Sequence, residues 1–129
     1  MSRILLVEDE DLNRTLVKAV LSRADVAAVR EAQVLDATSL AAARDTLGAE
    51  EVDLVLLDMN LPDGNGLTLA REIARDGLAG ERAKPAVVAV TASVLPQDRA
   101  AAIEAGCDGF LDKPYAAADL VATVARYLP

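Results

Sequence analysis

Four short apolar runs, each ending on or just before a polar residue, set the pattern of this 129-residue chain. Arg3-Ile4-Leu5-Leu6-Val7 leads into Glu8-Asp9, and Val52-Asp53-Leu54-Val55-Leu56-Leu57 stops at Asp58. Ala86-Val87-Val88-Ala89-Val90 stops at Thr91, and Gly109-Phe110-Leu111-Asp112 stops at Lys113-Pro114. Runs of this kind, rich in β-branched residues and bounded by turn formers, read as strands buried on both faces, which implies a parallel sheet covered by helices. In such sheets ligands sit outside the carboxyl ends of the strands. Three carboxylates, a hydroxyl and an ammonium therefore converge on one pocket. An oxygen-rich set with one fixed cation opposite suits a hard divalent metal beside a phosphoryl group.

The length fits a single domain over residues 1–129, able to bury most of the surface its unfolded state exposes. The chain is 53% apolar, much of it alanine, and Phe110, Tyr115 and Tyr127 are its only aromatics, so helix packing rests on Ala, Leu and Val. No apolar stretch is long enough to span a bilayer, and a strand starts at once without a basic signal region, so the expected setting is the cytoplasm, with no membrane partner. A net charge of −8 without a basic stripe argues against direct nucleic-acid binding. The single cysteine, Cys107, cannot form an internal disulfide and is expected as a small buried thiol in a tight helix-to-strand turn. Histidine is absent, which excludes His-based general base chemistry, His metal ligation and a phosphohistidine on this chain.

Strand and helix patterns alternate along the chain. The first helix is expected from Asp11 to about Arg23, with Leu12, Leu16, Ala19 and Val20 at helical spacing. Ala24 to Ala32 either extends that helix or forms a long loop. Gln33–Ala37 is the second strand, and Ser39 caps an Ala-rich helix ending near Gly48. Asn60 to Gly66 is dense in turn formers, and Leu67, Leu69, Ala70 and Ile73 restart a helix that reaches about Asp76-Gly77. Leu78 to Lys84 is a connector, and Pro85 opens the fourth strand. Pro96 or Gln97 starts a helix that stops at Gly106. The last helix runs from about Ala117 to Leu128, with Leu120, Val121, Val124 and Leu128 facing inward. The sum is five βα units in a three-layer α/β/α sandwich with right-handed crossovers.

The stretches Ile4–Glu10, Leu56–Pro62 with Gly66, Val90-Thr91-Ala92 and Gly109–Pro114 together resemble the receiver domain of bacterial two-component response regulators over nearly the whole chain. The resemblance implies a flavodoxin-like (βα)5 fold with strand order 2-1-3-4-5. It implies that Asp58 is the phosphoacceptor and that Glu8, Asp9, Asp58 and the backbone carbonyl of Asn60 hold Mg²⁺ or Mn²⁺. Thr91, the Ala92 backbone and Lys113 would then bind the phosphoryl group, Lys113-Pro114 would be cis, and Phe110 would be the aromatic that changes rotamer. The chemistry is coherent by itself, since a carboxylate attacks phosphorus to give an acyl phosphate and phosphoryl transfer needs mainly positioning and charge neutralisation. Other roles remain open at the same positions: Glu8-Asp9 also suits acidic capping of the first helix, Phe110 also suits plain packing, and Gly66 and Gly109 read as backbone devices.

The implied function is a switch that takes a phosphoryl group from a phosphohistidine on a histidine kinase or phosphotransfer protein. It would repack the face of helix four, strand five and helix five, signal to a downstream protein, and exist as a monomer or weak dimer. Neither Asn60 nor Ser93 offers a base for water, which implies slow loss of the phosphoryl group and no classical enzyme. Because the chain closes at Pro129, it is expected as a free-standing receiver or one taken from a hybrid kinase or multidomain regulator. Departures from the family pattern are Glu8 beside Asp9, Asn65 before Gly66, and a longer span between the acidic pair and Asp58. Two alternatives compete: a receiver-fold docking scaffold, and a haloacid-dehalogenase-type phosphatase. The latter wants an acid two positions after its nucleophile, where this chain has Asn60.

Overall fold

The protein is described by a computed structural model over residues 2–76, 84–92 and 95–129. In chain order the strands are β1 (Arg3–Val7), β2 (Gln33–Ala37), β3 (Leu54–Asp58), β4 (Asn60–Leu61), β5 (Gly64–Asn65), β6 (Ala86–Thr91) and β7 (Gly109–Asp112). The helices are α1 (Asp11–Ser22), α2 (Ala27–Arg30), α3 (Leu40–Ala49), α4 (Gly66–Asp76), α5 (Pro96–Glu104) and α6 (Ala117–Tyr127). Five strands form one parallel sheet in the order β2-β1-β3-β6-β7. With the small β4–β5 hairpin set aside this is the flavodoxin-like order 2-1-3-4-5, so the fold class and topology match the expectation.

Successive side chains of a strand point to opposite faces, and the core divides accordingly. Leu5, Val7, Val55, Leu57, Val87 and Ala89 pack under α3, α4 and α5 against Leu40, Leu47, Leu69 and Ile73. Ile4, Leu6, Leu54, Leu56, Val88 and Val90 pack on the other face against Val17 and Leu21 of α1 and Leu120 and Val124 of α6. Both faces of β1 and β3 are buried, which is why their sequences are continuously apolar. Each fully buried leucine contributes about 1.5–3 kcal/mol through lost water contact.

Two local expectations are corrected and a third is made specific. Helical spacing on α1 put Leu12, Leu16, Ala19 and Val20 on one stripe, but Leu12 and Leu16 are 67% and 54% exposed, and Val17 and Leu21 make the buried contacts. Periodicity marks a stripe without saying which edge of it the sheet covers. Residues 24–32 neither extend α1 nor run as a plain loop, because the separate turn α2 buries Val29 there. The turn-rich segment after Asp58 folds as a hairpin, pairing Asn60 with Asn65 and Leu61 with Gly64 across Pro62-Asp63. The connector expected at Leu78 to Lys84 lies, but for Lys84, outside the described residues, as do Gly77 and Ser93.

Candidate functional site

Strand register assembles the site. Val7 lies opposite Leu57, Asp58 opposite Val90, and Thr91 opposite Asp112. The residues that follow at the carboxyl edge are therefore Glu8, Asp58, Thr91 and Lys113, all neighbours across four adjacent strands. One carboxylate oxygen each from Glu8, Asp9 and Asp58 fall within 4.8 Å of one another. Glu8 and Asp58 are buried, and Asp9 is exposed. The Lys113 Nζ lies 3.6 Å from Glu8 Oε1 and 3.7 Å from Asp58 Oδ1, between the two buried acids. The Lys113–Pro114 peptide bond is cis, as the resemblance implied.

The buried acids have defined partners. Glu8 Oε1 accepts a hydrogen bond from Asn13 Nδ2 at 3.1 Å, and Oε2 accepts from the Glu10 backbone N–H at 3.3 Å. The Glu8 side chain thus also meets the residue just before α1 and a side chain of its first turn. Arg14 donates to the Glu8 backbone carbonyl at 3.0 Å and pairs with Asp11. Asp58 Oδ1 accepts from the Asn60 backbone N–H at 3.2 Å. The Thr91 carbonyl accepts from the Lys113 N–H at 2.8 Å, which ties the ends of β6 and β7 together. Ala92 is exposed directly after Thr91.

Two glycines leave room that neighbouring groups fill. A Cβ on Gly66 would meet the Asp58 backbone oxygen at 2.5 Å, so α4 can start this close behind the acid only without a side chain. A Cβ on Gly109 would meet the Tyr127 hydroxyl at 2.4 Å. The open space there lets that hydroxyl donate to the Asp108 carbonyl at 3.0 Å and fasten α6 to the start of β7. In the hairpin, Asp63 accepts from the Leu40 and Ala41 N–H groups at 2.8 and 3.1 Å, and these two bonds hold its carboxyl below the usual carboxylate range. Asn65 Oδ1 accepts from the Leu67 N–H at 2.8 Å, so an asparagine at this departure from the family pattern still caps α4.

Several contributors escaped the sequence reading. Asn13 and Arg14 stand on the first turn of α1, and Asn13 reaches Glu8, five residues earlier and ahead of the helix, so no helical spacing marked it. Tyr115, just after the cis bond, is half-buried, and its phenol is pushed up by burial beside Glu8 and Asp58 while Lys113 opposes the shift. Cys107 is buried as expected, and burial pushes its thiol up to about 11. Phe110 lies half-buried beside a cavity of about 250 Å³ whose wall also includes Thr91 and Asn60.

Three carboxylates converging without a nitrogen or sulfur donor form the set that hard divalent cations prefer, and Lys113 leaves their combined charge incompletely neutralised. The residues present therefore fit a magnesium-like ion.

Comparison with known proteins gives a consistent result. The family model described as the response regulator receiver domain matches residues 4–125. The hybrid signal transduction histidine kinase G of Dictyostelium discoideum is 29% identical over 127 residues, 98% of this chain but 4% of that protein. The two-component response regulator ORR41 of Oryza sativa subsp. japonica is 34% identical over 98% of this chain and 94% of its own length. Several other regulators that match are spanned by this chain over half of their length or less. Among solved structures, the receiver domain of sensor histidine kinase PA1611 from Pseudomonas aeruginosa PAO1, with a magnesium ion coordinated in its active site cleft, is 29% identical. It superposes with a TM-score of 0.79 over 98% of this chain and 96% of that one.

Proposed function

This chain belongs to the response regulator receiver family, and from that premise we propose that it is a phospho-accepting switch acting through Asp58, with residues 1–129 working as one receiver unit. The observation that carries the reading is the Lys113 ammonium set between Glu8 and Asp58, with Asp9 alongside. A carboxylate oxygen of Asp58 attacks the phosphorus of a phosphohistidine on a kinase or phosphotransfer protein; the new O–P bond forms as the N–P bond to the donor imidazole breaks. Lys113 meets the charge of the phosphoryl oxygens, and the Thr91 hydroxyl and Ala92 N–H donate to them. Asn13 holds Glu8 in place by its hydrogen bond. A magnesium or manganese ion held by Glu8, Asp9, Asp58 and the Asn60 carbonyl would supply the positive charge that offsets these oxygens during transfer.

The charge gained at Asp58 draws Thr91 and Lys113 inward and repacks α5, β7 and α6, the face that the sequence reading named helix four, strand five and helix five. A downstream protein reads that face; no direct nucleic-acid or membrane contact is involved, and the protein acts in the cytoplasm as a monomer or weak dimer. Among the described residues no helix is long and apolar enough to cross a membrane. Asn60 carries no carboxylate for activating water, so the phosphoryl group is lost slowly.

Incubation with Mg²⁺ and acetyl phosphate, followed by intact-mass measurement, tests the reading. One retained phosphoryl group per chain, absent in Asp58→Asn, is the expected result. No uptake would mark a docking scaffold, and rapid turnover of many equivalents would mark a phosphatase.

A further inference from the structure

Arg99 on α5 touches two residues of β7 at once. Its guanidinium carbon lies 5.0 Å from the centroid of the Phe110 ring, within cation–π range. The same guanidinium pairs with the Asp112 carboxylate. Strand alternation puts Phe110 and Asp112 on one face of β7, so a single arginine side chain spans both and bridges helix to strand. Beside the ring opens the cavity of about 250 Å³, walled by Met59, Thr91, Ala102 and Phe110 itself, with Asp98 and Arg99 on its rim. An apolar cavity of roughly 150 Å³ is enough to take a benzene molecule, so there is room for the phenyl ring to turn inward. Phenylalanine has no hydroxyl with which to anchor an outward position, and the guanidinium is the polar group in contact with its face.

The geometry points to Arg99 as the positioning residue that holds Phe110 out of this cavity in the unphosphorylated protein. Turning the ring inward gives up the ring–guanidinium contact, so Arg99 sets how much of the population is switched before any phosphoryl group arrives. Resting on the reading of Asp58 as the phosphoacceptor, this has a reciprocal consequence: loosening Arg99 raises the affinity for a phosphoryl group or its mimic.

Phe110 is the only phenylalanine in the chain, so 4-fluorophenylalanine gives a single fluorine resonance. Its H2O/D2O isotope shift reports how far water reaches the ring. In the unmodified sequence the shift is expected to fall when Mg²⁺ and beryllofluoride are added. In Arg99→Gln it is expected to be reduced already without them, with half-saturation by beryllofluoride at about threefold lower concentration, the size an exposed cation–π contact supports. Arg99→Lys should restore part of the outward population, and Asp112→Asn should fall between. An Arg99→Gln resting shift equal to or larger than that of the unmodified protein overturns the assignment, since uncapping without inward movement only exposes the ring. Should the unmodified protein bind no beryllofluoride, the phosphoacceptor reading fails, while the resting shift of Arg99→Gln still decides the role of Arg99.

Discussion

Helices α1 and α3 both follow strands that end at the carboxyl edge of the sheet, yet they are finished differently. In α3, Leu40, Ala43 and Leu47 are buried, and the amino end is closed by the Ser39 side chain, which accepts from Ala42 N–H at 3.1 Å, and by the Asp63 carboxylate on Leu40 and Ala41. In α1, Val17 and Leu21 are buried, Leu12 and Leu16 face solvent, and no side chain of the N-cap residue Glu10 closes the first turn. Instead Glu8 and Asn13, at the candidate site, organise that end. One helix is closed off for stability, and the other leaves its first turn available to the site. Stability and function are divided between two helices of similar length.

Substitutions can break this contrast, and the largest effect belongs to α3. Leu47→Ala should cost about 2–5 kcal/mol in chemical denaturation, since the side chain is fully buried. On α1 the corresponding loss is functional: Asn13→Ala should slow Mg²⁺-dependent labelling of Asp58 roughly tenfold, the usual consequence of removing the partner of a metal ligand, while moving the denaturation midpoint little. Equal effects of both variants on stability would erase the distinction. Ser39→Ala should cost about 1 kcal/mol, as expected for a lost N-cap, with labelling unchanged.

Asp63 sharpens the comparison through pH. Its carboxyl sits below the ordinary carboxylate range when folded, so its contribution is present above that range and disappears as pH falls through the lowered folded value. Asp63→Ala should therefore differ from the unmodified protein in denaturation midpoint at neutral pH, and the two should converge in acid. The smallest effect is expected from Leu12→Ala and Leu16→Ala, each within about 0.5 kcal/mol because those side chains already meet water. A loss comparable to that of Leu47→Ala would mean α1 packs by its apolar stripe after all.

The sheet was legible because β1, β3 and β6 are buried on two faces, which leaves apolar runs that end where the sheet ends. The candidate site was legible for the same reason, as Glu8, Asp58, Thr91 and Lys113 are the residues at which those runs stop. What escaped depends on contacts between distant segments. Asp63 caps a helix 22 and 23 residues earlier in the chain, and Arg99 meets Phe110 only because α5 lies against β7. The four residues of α2 are too few to show a period, and the two-residue strands β4 and β5 are too short to alternate. On α1, spacing identified a stripe, but sheet coverage chose Val17 and Leu21 over Leu12 and Leu16.

Borohydride reduction of protein incubated with Mg²⁺ and acetyl phosphate, followed by peptide sequencing, tests the central claim most directly. An acyl phosphate at the end of β3 is converted to homoserine, so homoserine should be found at position 58, and only when the metal was present. Homoserine at another acidic residue, or none anywhere in a protein that has retained the phosphoryl group, would contradict it.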